Sequence, residues 1–135
     1  MKEINELDLP DNTRYAENHE WIIPEGDKVR VGISDYAQDQ LGDIVFVELP
    51  QTGDSFGKGE EFGTVESVKA VAALYMPIGG EILTINTVLE DSPELMNKNP
   101  YVDGWLIEVK PDDLGELDSL MTSDAYREML EGLEE

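Results

Sequence analysis

The chain of 135 residues has no cysteine, a single histidine, and nine lysine and arginine residues against 31 aspartate and glutamate. Each shortage closes a class of function. Without cysteine there is no disulfide, no thiol nucleophile and no thiolate metal site. At a formal net charge of −22, with the cations scattered, there is no basic face for a nucleic-acid backbone. Anionic membrane is disfavoured for the same reason. No uncharged run approaches the roughly 20 apolar residues that cross a bilayer, and Lys69 interrupts the run over residues 68–80. The beginning, MKEINELDLPDN, is polar and lacks the apolar centre of a signal peptide. The expectation is a soluble cytoplasmic protein. Its acidity fits a plainly solvated surface, a match to basic partners, or a saline habitat.

The equipment of an independent enzyme is also missing. There is no nucleophile elbow, zinc-protease helix motif, phosphate loop or dinucleotide fingerprint. His19 stands beside Glu20 and Trp21, where a lone histidine is most often a structural hydrogen-bonder. Pairs such as Glu60-Glu61 and Asp112-Asp113 are expected by chance in so acidic a chain. LEDSPELMNKN lacks the alternating ligands and glycine of a calcium loop.

What is present is short β-type runs broken by turn residues. EWII and KVRVGI flank Pro24-Glu25-Gly26-Asp27 and read as a hairpin. Ser34 is placed to cap a helix over Asp35–Leu41 that Gly42 ends. DIVFVELP, EFGTVESV, AVAALYMPI, EILTINTV and WLIEVKP read as strands. LEDSPELMNKNPY reads as a loop with one helical turn over residues 93–97. Residues 1–13 read as a loose leader, and 112–135 as a helical segment in which Leu114, Leu117 and Leu120 recur every three residues. The plan is one mainly β domain over 1–135, a sandwich or barrel followed by short helices.

Lys69 is the only cation between Lys58 and Lys98. It falls where a hairpin turns, yet no Asn-Gly or Asp-Gly marks the turn. A lysine on a rigid tip suits covalent attachment of a carrier arm, since acylation removes its charge and leaves the chemistry to the arm. An ordinary surface lysine in an ordinary hairpin fits the same position.

Ordered motifs separate the two. The chain resembles the glycine cleavage H-protein family through HEW at residues 19–21, GISDYAQDQLGDIVFVELP at 32–50, ESVKA at 66–70, NKNPY at 97–101 and GWLIEVKP at 104–111. The resemblance covers residues 14–110 densely and the C-terminal helices more loosely. It implies a barrel-sandwich hybrid of two small antiparallel sheets with short C-terminal helices. It implies lipoate, covalently attached to Lys69, with Glu66, Ser67, Val68 and Ala70 recognised by lipoate-attaching enzymes. It implies a monomeric carrier that is a substrate, not a catalyst. Its partners would be a pyridoxal-phosphate glycine decarboxylase, a tetrahydrofolate-dependent aminomethyltransferase and dihydrolipoamide dehydrogenase, with no nucleic acid, membrane or metal. The loaded arm would shelter in a cleft, for which Asn18, His19, Glu20 and Ala73 are candidates. The resemblance breaks after ESVKA. The family's serine and acidic residue are here Ala72 and Ala73, and a frequent lysine of the last strand is Glu108. Two other lipoyl roles follow from that break, carriage of sulfur intermediates in a heterodisulfide-reductase-like oxidation and a relay of lipoyl groups.

Overall fold

Chain reversals at Gly26, Gly53 and Gly59, all with positive φ, divide the first half into short strands. The computed structural model describes residues 3–134. Its strands are β1 (Arg14–Tyr15), β2 (Glu20–Glu25), β3 (Lys28–Ile33), β4 (Ile44–Glu48), β5 (Ser55–Phe56), β6 (Glu61–Ser67), β7 (Val71–Tyr75), β8 (Gly80–Ile85) and β9 (Ile107–Pro111). Six form one antiparallel sheet in the order β1-β2-β3-β9-β8-β5, and three form another in the order β4-β6-β7. Ile22, Val31, Ile82 and Val109 of the larger sheet share one buried cluster with Val47, Val65 and Leu74 of the smaller. Burial of each such side chain stabilises by about 1.5–3 kcal/mol, and this shared core joins the sheets into a barrel-sandwich hybrid.

The helix expected between β3 and β4 forms as α1 (Asp35–Leu41). The Ser34 hydroxyl accepts from the Ala37 N–H at 3.2 Å. Gly42, at φ +77°, ends the helix, because the left-handed region favours a residue without Cβ. Two more helices, α2 (Val88–Asp91) and α3 (Leu95–Lys98), replace the single turn expected at 93–97. Each is anchored by one fully buried side chain, Leu89 and Met96. The three-residue leucine spacing becomes a 3-10 helix at Leu114–Ser119, whose repeat is three residues per turn. The chain then enters α4 (Ser123–Glu134).

The leader expected to be loose is held down where it is described. Leu7 and Leu9 are buried with Tyr15, Trp21, Tyr101, Tyr126 and Leu130 in a second cluster beneath α4. The Asp8 N–H also donates to the Asp35 carboxylate at 2.9 Å. Two leucines of a short polar segment carry too little pattern to predict such docking.

Glu108 has a local explanation. It lies opposite Arg30 of β3 and accepts from Arg30 at 3.0 and 3.3 Å, while Lys28 approaches to 3.2 Å. Burial alone would raise its pKa, but these hydrogen bonds and charges outweigh burial and hold it below the usual carboxylate range. The Arg30 guanidinium also lies over the Trp105 ring, 4.9 Å from its centroid, a favourable cation–π distance.

Candidate functional site

The β6–β7 hairpin turns without glycine and without the positive φ that a common two-residue hairpin turn requires. Ser67 supplies the alternative. Its hydroxyl accepts from the Lys69 and Ala70 amides at 3.2 and 3.1 Å. Its own N–H donates to the Ala70 carbonyl at 2.8 Å. The tip is braced from outside, since the Val68 N–H donates to the Asp43 carbonyl at 3.1 Å. Lys69 is therefore exposed on a tip fixed at both flanks. Its stem crosses Gly42, where a Cβ would stand 3.2 Å from the lysine Cε. The lack of a side chain at Gly42 leaves the lysine that path towards the end of α1.

Glu66 is exposed and lies in register between Phe46 of β4 and Val71 of β7. A bulge between Ile44 and Phe46 leaves both Val45 and Phe46 about half exposed, and Val68 and Val71 are more exposed still. An apolar patch thus surrounds the hairpin, edged by the exposed acids Asp43, Glu48 and Glu66.

A cleft of about 300 Å³ runs between this hairpin and α1. Val65, Ala72, Ala73 and Leu74 line it from the small sheet, and Ala37, Gln40 and Leu41 from α1. Asn18, His19 and Glu20 form its end. The structure thus brings together the four cleft candidates Asn18, His19, Glu20 and Ala73, and separates them from the turn residues Glu66, Ser67, Val68 and Ala70. A second cavity, of about 570 Å³, lies under Leu120, Met121 and Met129 and shares Asn18 and Glu20 with the first.

Glu20 is the unusual group. It is 2 % exposed. Its Oε2 accepts from the Tyr75 N–H at 3.3 Å, but its Oε1 is buried with no hydrogen-bond partner. Burial pushes its pKa up to about 8. A buried acceptor left unpaired costs about 1–3 kcal/mol, and this one belongs to a residue that lines both cavities. The ordinary Glu value is near 4.5. Between that pH and 8, the folded chain keeps a proton that the unfolded chain has lost. Stability from this source is full below 4.5 and is lost as pH rises through 8. Glu20→Gln should flatten that part of the profile in urea denaturation at pH 5, 6.5 and 8. A slope equal to wild type would contradict the assignment.

His19 closes a four-residue loop between β1 and β2, with φ +74°, a left-handed position that few side chains adopt. Its Nδ1 lies 2.8 Å from the Tyr126 hydroxyl, and burial lowers its pKa. Sequence reasoning missed several supporting residues. Asn97 accepts from the Ile44 N–H and donates to Gln38 Oε1 and the Gly42 carbonyl, fastening the end of α1 to the start of β4. The Tyr101 hydroxyl accepts from the Asp35 N–H at 2.9 Å. The NKNPY motif was legible, but the partners of its polar groups lie some 53 to 66 residues away.

Among the described residues no group of three or more His, Cys, Asp or Glu is arranged to hold a metal ion, and no helix is long and apolar enough to cross a membrane. Fold and site define a class: a two-sheet β domain that presents one lysine on a braced hairpin beside a mostly apolar cleft ending in a buried carboxyl. A family profile described as "Glycine cleavage H-protein" matches residues 13–133. The glycine cleavage system H protein of Bacillus licheniformis is 52% identical over 124 residues, covering 92% of this chain and 98% of that protein. The protein of the same name from Thermus thermophilus is 50% identical over 125 residues, covering 93% and 98%. The crystal structure of a glycine cleavage system H protein from Mycobacterium marinum superposes with a TM-score of 0.82 at 41% identity, over 90% of this chain and 98% of that one. The chain belongs to the glycine cleavage H-protein family.

Proposed function

We propose that this protein is the lipoyl carrier of a glycine cleavage system, with lipoate held as an amide on Lys69. The observation that carries the reading is the pairing of an exposed lysine on a fixed tip with an adjacent cleft ending in an unpaired carboxyl oxygen. A lipoyl group there would supply a disulfide that can open to two reduced sulfurs, one able to hold a one-carbon amine and the other left as a thiol. The chain's own residues do the rest. Ser67 and the Asp43 carbonyl hold the attachment point away from the barrel. Val65, Leu74, Ala37 and Leu41 exclude water from the cleft. Glu20 offers Oε1 to an ammonium, whose charge would draw the carboxyl's pKa back down and ionise it in place.

Ala72 and Ala73 line the cleft and neither carries a polar side chain, so Glu20 supplies the one carboxyl of the lining. Its burial makes one such contact strong, because charge-assisted hydrogen bonds gain in a desolvated site. The sulfur-carrier and relay readings drew their support from the two alanines. The retained carboxyl, which neither role requires, favours the amine cargo.

The partners follow from this reading: a glycine decarboxylase, an aminomethyltransferase, dihydrolipoamide dehydrogenase and a lipoate-attaching enzyme. The protein acts as their shared substrate in the cytoplasm. The apolar patch around the hairpin, with its acidic edge, suits partner faces that carry Lys and Arg around an apolar hollow. Incubation with lipoate, ATP and a lipoate ligase should add one lipoyl mass, with peptide mapping placing it on Lys69. No addition, or addition elsewhere, would overturn the attachment site.

A further inference from the structure

The C-terminal helix reaches His19, a residue of the cleft wall, through one hydroxyl. Tyr126 of α4 is fully buried and stacks on Tyr15, with ring centroids 4.5 Å apart and planes within 1°. Its hydroxyl lies 2.8 Å from His19 Nδ1 and 2.7 Å from Ser34 Oγ. His19 belongs to the end wall of the cleft, next to Glu20. Ser34 caps α1 through the Ala37 N–H, and Ala37, Gln40 and Leu41 form the α1 wall. The two walls meet at the backbone, where the Ser34 N–H donates to the His19 carbonyl at 2.9 Å, and their side chains meet at a hydroxyl that belongs to neither. His19 also holds a left-handed backbone that a residue with a Cβ rarely adopts, and the Tyr126 hydroxyl holds its ring.

We propose that Tyr126 is a positioning residue of the carrier cleft: its hydroxyl ties His19 to the cap of α1 and so fixes the spacing at which the cleft retains a cargo. The C-terminal helix is then part of the site, not only a cover for the second core cluster. Either proton order satisfies the hydroxyls. Ser34 donates to Tyr126 and Tyr126 to the imidazole, or the imidazole donates to Tyr126 and Tyr126 to Ser34. This inference rests on the carrier reading for the cargo, but not for the tie itself.

Two measurements test it. The first uses the bare, untagged protein, whose single histidine gives one set of ring signals. Tyr126→Phe keeps the stack and removes the hydroxyl. It should shift the His19 ring ¹⁵N resonances and raise the imidazole pKa towards its ordinary value of 6.5 as the ring gains water. Unchanged ring signals would overturn the tie, whatever happens to stability. The second charges the lipoylated protein with the one-carbon amine, using glycine and glycine decarboxylase, removes the enzyme and times ammonia release. Tyr126→Phe and Ser34→Ala should each release it about fivefold faster, the opening expected from losing one neutral hydrogen bond. The double variant should be no faster than the faster single variant, because both changes cut one tie. Additive effects, or release at the wild-type rate, would overturn the positioning role. Failure to charge the wild-type protein would instead count against the carrier reading, and the ring measurement would still decide the tie.

Discussion

Lys69→Arg leaves a folded protein that takes up no lipoyl group and supports no glycine-dependent turnover. The expected effect is complete loss, because an acyl amide needs an amine that can lose its proton, and a guanidinium does not. Folding should be unaffected. Lys69 is exposed, and the hydrogen bonds of the turn come from Ser67, the Asp43 carbonyl and backbone amides, none of which needs the ammonium. Intact mass after incubation with a ligase reads the acylation, and a thermal melt reads the fold. A variant still carrying one lipoyl mass would show that one of the other five lysines is the acceptor.

Gly32→Ala is expected to cost about 3 kcal/mol or more, the upper range for overpacking a closed core. A Cβ on Gly32 would stand 2.5 Å from Trp21 Cζ2, 2.6 Å from Cε2 and 2.7 Å from Nε1. The indole has nowhere to go. It is fully buried, and its N–H donates to the Pro100 carbonyl at 2.9 Å. The cost should reach the site as well, because Gly32 and Trp21 face each other across β2 and β3. Those strands carry Glu20 and lead into Ser34 at the same end, one register position beyond this pair. Urea denaturation measures the first effect, and the His19 ring signals report the second. A loss below about 1 kcal/mol would mean that the indole has room that the packing denies.

Much of the fold was readable wherever the signal is local. Ser34 and Gly42 bounded α1 because capping chemistry acts within four residues. The hairpin of β2 and β3 followed from alternation around a turn. Lys69 was conspicuous because the chain around it is so poor in cations, although position alone left an ordinary surface lysine open, and the ESVKA resemblance separated the two. The division of strands into sheets of six and three was not local. β3 pairs with β9 by bringing Val29 to Val109, and no short window records that. The same holds for the site. Ser67 was marked as part of a recognition motif, but its physical task of turning the hairpin without glycine appears only when its hydroxyl is seen to accept from Lys69 and Ala70. No local pattern around Tyr126 marks its hydroxyl. Its hydroxyl matters because the fold brings residue 126 to residues 19 and 34. Glu20 was a candidate from its HEW motif, yet its unpaired oxygen is a property of packing.

Carriage of the one-carbon amine of glycine cleavage on Lys69 is read directly by isotope exchange. Lipoylated protein is mixed with glycine decarboxylase and labelled bicarbonate, and incorporation of label into glycine is followed. Exchange should depend on the lipoylated protein and disappear with Lys69→Arg. An active decarboxylase that incorporates no label in the presence of the fully lipoylated protein would contradict it.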